Sequence, residues 1–240
     1  MNNIFSPDSK LIAMLDLLAN TILLNLLFVV CCLPVVTIGA AYTALFSGCR
    51  AIANGEACFR AFFRSFRSGF KRATLAWLIL LPVLVLLALT SYTVWAYAQA
   101  GVTMGAFTMI VSLVGLVFML AVAMMVFLFY SRFECTLRQL LKNGILMTMA
   151  YLLRAIIIGL LCWGPVLMFF LLAPYTFMQL SVVFLIIWFG VAANLSVRLM
   201  KKPFASLEQT IPGWEAPKAE EPAAEEEPEE EDASSRNALT

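Results

Sequence analysis

Residues 105–130 read GAFTMIVSLVGLVFMLAVAMMVFLFY, 26 residues without one charged side chain. A helix rises about 1.5 Å per residue and the hydrocarbon core of a bilayer is roughly 30 Å thick, so ~20 mostly apolar residues suffice to cross it. This stretch exceeds that length. Working outward, 17–36, 74–96, 145–172 and 176–197 also meet the requirement. The chain is 62% apolar and 13% charged, with a mean hydropathy of +0.90. Soluble domains carry roughly 25% charged residues, so this surface needs lipid as its solvent. The expected fold is all-α, a polytopic bundle of about five spans. Pro165 predicts a kink in the fourth span and Pro174 with Tyr175 a tight turn before the fifth.

The net charge of +1 averages two unlike parts. Residues 1–202, the predicted transmembrane domain, hold 14 Lys/Arg against four acids. Residues 203–240 hold two Lys/Arg against 11 acids, nine of them within 220–232. With so few bulky residues, that stretch is expected to be a disordered acidic tail.

Orientation follows from the cations. Arg50, Arg60, Arg64, Arg67, Lys71 and Arg72 follow the first span; Arg132, Arg138 and Lys142 follow the third; Arg198, Lys201 and Lys202 follow the fifth. The other connections, 97–104 and 173–175, hold no charge. Lys/Arg bias in short loops sets topology, so the basic connections are expected in the cytoplasm. Five spans then put the N-terminus outside and the C-terminus inside. A re-entrant first segment would keep both its ends inside.

Some chemistry is disfavoured. The chain has no histidine, the commonest general base and metal ligand. Its six cysteines lack both disulfide-framework and metal-ligand spacing, so free thiols are expected, with no metal and no cofactor. No paired carboxylates fall within a span. Arg154 is expected to snorkel to the inner interface and Asp16 to sit among outer headgroups. An enzyme is not expected.

Residues 56–72 read EACFRAFFRSFRSGFKR. Arg60, Arg64, Arg67 and Lys71 are spaced four, three and four apart, which puts them on one helical stripe. Phe59, Phe62, Phe63, Phe66 and Phe70 follow the same period beside it. The pattern predicts an amphipathic helix lying at the cytoplasmic interface, with rings in the acyl boundary and cations among phosphates. Membrane lipid is the expected contact and a protein partner the alternative. Nothing frames these residues as a nucleic-acid site.

Residues 25–45 read NLLFVVCCLPVVTIGAAYTAL. Pro34 weakens the helix and Gly39 permits a bend, while Ala40, Ala44 and Gly48 recur every four residues as a ridge that lets another helix approach. This run, with Asn25, Leu33, Pro34, Thr37, Ile38 and Gly39 its most specific part, resembles the YesL-like family of bacterial membrane proteins, a domain of unknown function. The stretch 132–147, RFECTLRQLLKNGILM, is similar to its counterpart there. The resemblance covers about residues 1–200. It implies a link to carbohydrate uptake, because family members are often encoded beside sugar-uptake and two-component genes, and it supplies no catalytic residue. The expected role is a non-catalytic accessory or regulatory component, with a sugar permease or two-component sensor as partner. A small transporter is the alternative, and oligomeric state stays open.

Overall fold

The structure, a computed structural model, describes residues 10–100, 106–133, 135–171 and 174–210, with the side chains of 10–14, 98–99, 106, 165–186 and 208–210 left outside. Among the described residues seven α-helices follow in order: α1 (Lys10–Cys32), α2 (Ile38–Asn54), α3 (Cys58–Gln99), α4 (Ala106–Tyr130), α5 (Leu137–Ala150), α6 (Leu152–Leu171) and α7 (Pro174–Thr210). No strand occurs among the described residues. Among the described residues four stretches are long and apolar enough to cross a bilayer, namely Leu15–Cys32, Val35–Asn54, Cys58–Tyr97 and Phe107–Tyr130. The bent pair α5–α6 makes a fifth if it is taken as one span.

The expected first span, 17–36, ends early. Pro34 adopts an extended backbone at φ −78° and ψ 118°, a short 3-10 turn runs Val35–Thr37, and the chain re-enters a helix at Ile38. Proline supplies no N–H to continue the ladder, so the helix stops where the sequence demands. The segment after it was expected to be a cytoplasmic connection and is instead α2, with Gly39–Cys49 and Ala51 buried. Leu24 fills the space beside Gly48, and the Phe28 and Tyr42 rings pack edge-on at 4.7 Å. Position rises on one helix as it falls on the other, so α1 and α2 form an antiparallel hairpin. Gly55, at φ +77°, closes α2 in the left-handed conformation that glycine adopts without steric cost.

The separate interfacial helix over 56–72 is also corrected. It is the first part of α3, which continues unbroken for 42 residues, about 63 Å at the helical rise. No helix breaker stands between Lys71 and Thr74, and Gly69 sits against the Tyr130 ring. α3 runs antiparallel to α4, with Trp77 beside Phe127 and Gly69 beside Tyr130.

The predicted 145–172 span is two helices. The break falls at Tyr151, where the axis turns by 109°, and α6 runs through Pro165. The predicted turn shifts as well: Pro174 and Tyr175 already belong to α7, and residues 172–173 lie outside the described residues. α7 outlasts the predicted fifth span and reaches Thr210, with Phe204 buried against Phe129 and Phe133. The helical domain therefore extends past 202; the acidic run 220–232 lies outside the described residues.

The core gathers where the C-terminal half of α4 meets its neighbours. Residues 120–130 of α4 are all buried, whereas Phe107, Ile110 and Val114 are exposed. Six rings meet in succession there: Phe189 on Phe28, Phe28 on Tyr42, Tyr42 on Phe127 and Trp163, and Trp77 on Phe127 and Trp163. Five helices before α7 and α7 itself thus contribute to one knot, with α5 alone outside it.

Candidate functional site

Two groups of predicted residues were candidates, and the structure gives them different tasks. The motif residues of α1 and α2 build the hairpin. Thr37 Oγ1 lies 2.6 Å from the Cys31 carbonyl and 2.7 Å from that of Pro34, so its hydroxyl reaches back across the break and ties the turn to the end of α1, while the Thr37 N–H donates to the Pro34 carbonyl at 3.0 Å. Trp77 Nε1 donates to the Val35 carbonyl at 2.8 Å and fastens the turn to α3. Gly39 is where α2 and α3 touch, since a Cβ there would stand 2.7 Å from both the Ala73 carbonyl oxygen and Trp77 Cβ. Ala40 and Ala44 are buried and Gly48 faces Leu24, so the small-residue ridge is consumed inside the chain rather than left as an outward groove.

Asn25 is fully buried and accepts the Gly190 N–H at 2.8 Å, tying α1 to α7. Cys49 Sγ approaches the Gly190 carbonyl at 3.9 Å, and a Cβ on Gly190 would stand 2.9 Å from the Thr21 carbonyl. One glycine of α7 is therefore held at its N–H by α1 and approached at its carbonyl by α2. Sequence reasoning missed Gly190, Trp77 and Trp163: a single glycine and two tryptophans in apolar runs carry no periodic signal.

The second group faces outward. Arg60, Arg64, Arg67 and Lys71 are all exposed, and so are Leu75, Leu78, Leu86 and Leu89 farther along α3. Every step in that series is three or four residues except Leu78 to Leu86, which is two such steps with exposed Pro82 between. The face is thus one continuous stripe, cationic up to Lys71 and apolar from Leu75. The phenylalanines divide. Phe62 is fully buried and stacks on half-buried Phe66, whereas Phe59, Phe63 and Phe70 remain exposed beside the cations.

Arg72 Nη1 donates to the Cys135 carbonyl at 3.3 Å, and Arg154 lies over the Tyr151 ring at 5.7 Å. Arg132 lies over Phe204 at 5.4 Å. Arg50, Ser131 and Arg132 line, with Phe46, Leu128 and Phe204, a cavity of about 10 Å³, room for one water. All six cysteines are unpaired. Burial pushes the Cys135 thiol above its ordinary pKa, and the Arg72 guanidinium partly offsets this.

Several apolar helices around an aromatic core, with outward leucines on α1, α3 and α4, define a multi-pass helical membrane protein. Residues 21–90 match the family model described as "Protein of unknown function, DUF624", which bears out the YesL-like assignment over that stretch, from Thr21 in α1 through α2 to Thr90 in α3. No curated protein and no solved structure matches the chain.

Proposed function

We propose that this protein is a non-catalytic component of the bacterial plasma membrane that assembles with, or regulates, a transport or sensing complex. The supporting observation is what the family-motif residues do. Asn25, Pro34, Thr37 and Gly39 contact or redirect backbone and fix a hairpin, and the small ridge packs internally. Residues that performed chemistry would instead converge on an accessible pocket. The outward features are a cationic stripe and apolar faces, which serve contacts. Following the family resemblance, the partner is a carbohydrate permease or a two-component sensor.

In this reading the basic ends lie in the cytoplasm. The expectation of an outside N-terminus gives way to an inside one. The antiparallel hairpin returns α1 to the side where α3 begins, and Cys58 Sγ lies 3.8 Å from Asn20 Oδ1.

A small transporter is the second reading. Interrupted helices are characteristic of transporter sites, and the chain has two interruptions, at Pro34 and at Tyr151. Purification of the tagged chain from native membranes separates the two. Recovery of a permease or sensor at fixed stoichiometry supports the accessory role. Recovery of the chain alone, with solute flux after reconstitution into liposomes, overturns it.

A further inference from the structure

We infer that the cationic stripe of α3 is a binding site for anionic phospholipid headgroups at the inner leaflet. The inference is independent of which protein partner the chain has. It rests first on the continuity of one exposed helical face. Below Leu75 that face offers acyl chains only apolar groups, and the next residues on the same face are Lys71, Arg67, Arg64 and Arg60. A lipid lying along Leu75 and Leu78 therefore carries its phosphate to the level where the cations begin.

The second support is height. Arg60 to Lys71 spans about 16 Å along the axis, more than the ~5–8 Å of one headgroup layer, so headgroups at the level of Leu75 meet the Lys71 and Arg67 end of the stripe, and the long side chains of Arg64 and Arg60 reach back toward the same phosphates. Exposed Phe59, Phe63 and Phe70 beside the arginines supply the apolar part of an interfacial contact. The site differs from the amphipathic helix expected from sequence: the cations stand on the flank of a long spanning helix, not on one lying flat.

The test uses the purified full chain in phosphatidylcholine vesicles containing spin-labelled phosphatidylglycerol or spin-labelled phosphatidylcholine, reading the motionally restricted fraction of each. The native chain is expected to favour phosphatidylglycerol by at least about fivefold, the effect of one interfacial cation. Added salt lowers the ratio, because exposed charges are screened. The R60Q/R64Q/R67Q/K71Q variant brings it toward one, while R60K/R64K/R67K retains it. A native ratio near one, a ratio insensitive to salt, or a ratio unchanged in the glutamine variant overturns the inference. The salt series needs no substitution, so the test stays decisive even where the glutamine variant fails to fold. A preference that arises only when residues 211–240 are removed assigns the stripe to the acidic segment and also overturns it.

Discussion

The side-chain oxygen of Asn25 accepts the backbone N–H of Gly190 at 2.8 Å, joining the first helix to the last across 165 residues of sequence. Both groups are away from solvent, since Asn25 is fully buried. Breaking such a bond while leaving its partner buried costs about 1–3 kcal/mol, more than the bond contributes when both partners are present. Asn25→Leu is therefore expected to destabilise by that amount. Gly190→Ala brings a methyl to within 2.9 Å of the Thr21 carbonyl and is expected to be destabilising too. Because both changes loosen one contact, the double variant should lose less than the two single losses combined. Chemical denaturation in detergent micelles measures all three; strict additivity would show that the two residues do not act together.

The two stacked tryptophans of the core give an internal comparison. Trp77 and Trp163 lie 6.1 Å apart, yet their indole nitrogens differ. Trp77 Nε1 holds the Val35 carbonyl at 2.8 Å, whereas Trp163 Nε1 is buried without an acceptor among the described residues. Replacement by phenylalanine removes similar volume from each, so the difference isolates the hydrogen bond and the unsatisfied donor. Trp77→Phe is expected to cost about 1 kcal/mol or more beyond Trp163→Phe. Equal shifts in the unfolding midpoint would remove Trp77 as the fastener of the turn.

Cys135 gives a pH-dependent readout of the connection after α4. Its thiol is raised by burial, and the Arg72 guanidinium pulls the other way. A raised thiol pKa leaves less thiolate at any given pH, and only the thiolate reacts. Maleimide labelling of Cys135, in a variant with the other five cysteines changed to serine, should therefore be slower at neutral pH than labelling of a free cysteine. The rate should climb until the pH passes the raised value. Removing the cation by Arg72→Gln moves the midpoint higher. A midpoint that falls on that substitution would mean that Arg72 does not act on the thiol through its charge.

How much of this was legible in the sequence depends on what carried the signal. Runs such as 105–130 announce themselves because the bilayer imposes a length, and α4 occupies almost that range. The basic stripe was equally plain, since period and exposure are local properties. Its continuation into the spanning helix was not. Lys71 and Leu75 differ in chemistry but share one face, and reading by composition alone placed a boundary where the backbone has none. α2 was missed for a related reason. Asn54, Arg50 and the small residues of 39–48 dilute its apolarity, and its burial comes from α1 and α3, which the sequence does not juxtapose. Pro34 and Thr37 were visible as a motif, but that the Thr37 hydroxyl reaches back to the Cys31 and Pro34 carbonyls depends on a three-dimensional turn.

The hairpin makes a sharper demand than any of these interactions. Asn20 Oδ1 and Cys58 Sγ are 3.8 Å apart, so cysteine at position 20 would place two sulfurs within bridging range after a modest side-chain adjustment. If the first helix instead crossed the bilayer and left its start on the far side, the pair would be separated by roughly 30 Å of hydrocarbon. Asn20→Cys, in a chain retaining only Cys58 of the native cysteines, is expected to form an intramolecular disulfide under mild oxidation in native membranes. Proteolysis between the two positions and comparison of fragment masses with and without reductant detects it. A control cysteine at Leu33, the tip of the hairpin, should leave Cys58 unbridged. If Asn20→Cys fails to cross-link while the tip cysteine succeeds, α1 does not fold back on α2, and the inside position of the N-terminus is lost with the hairpin.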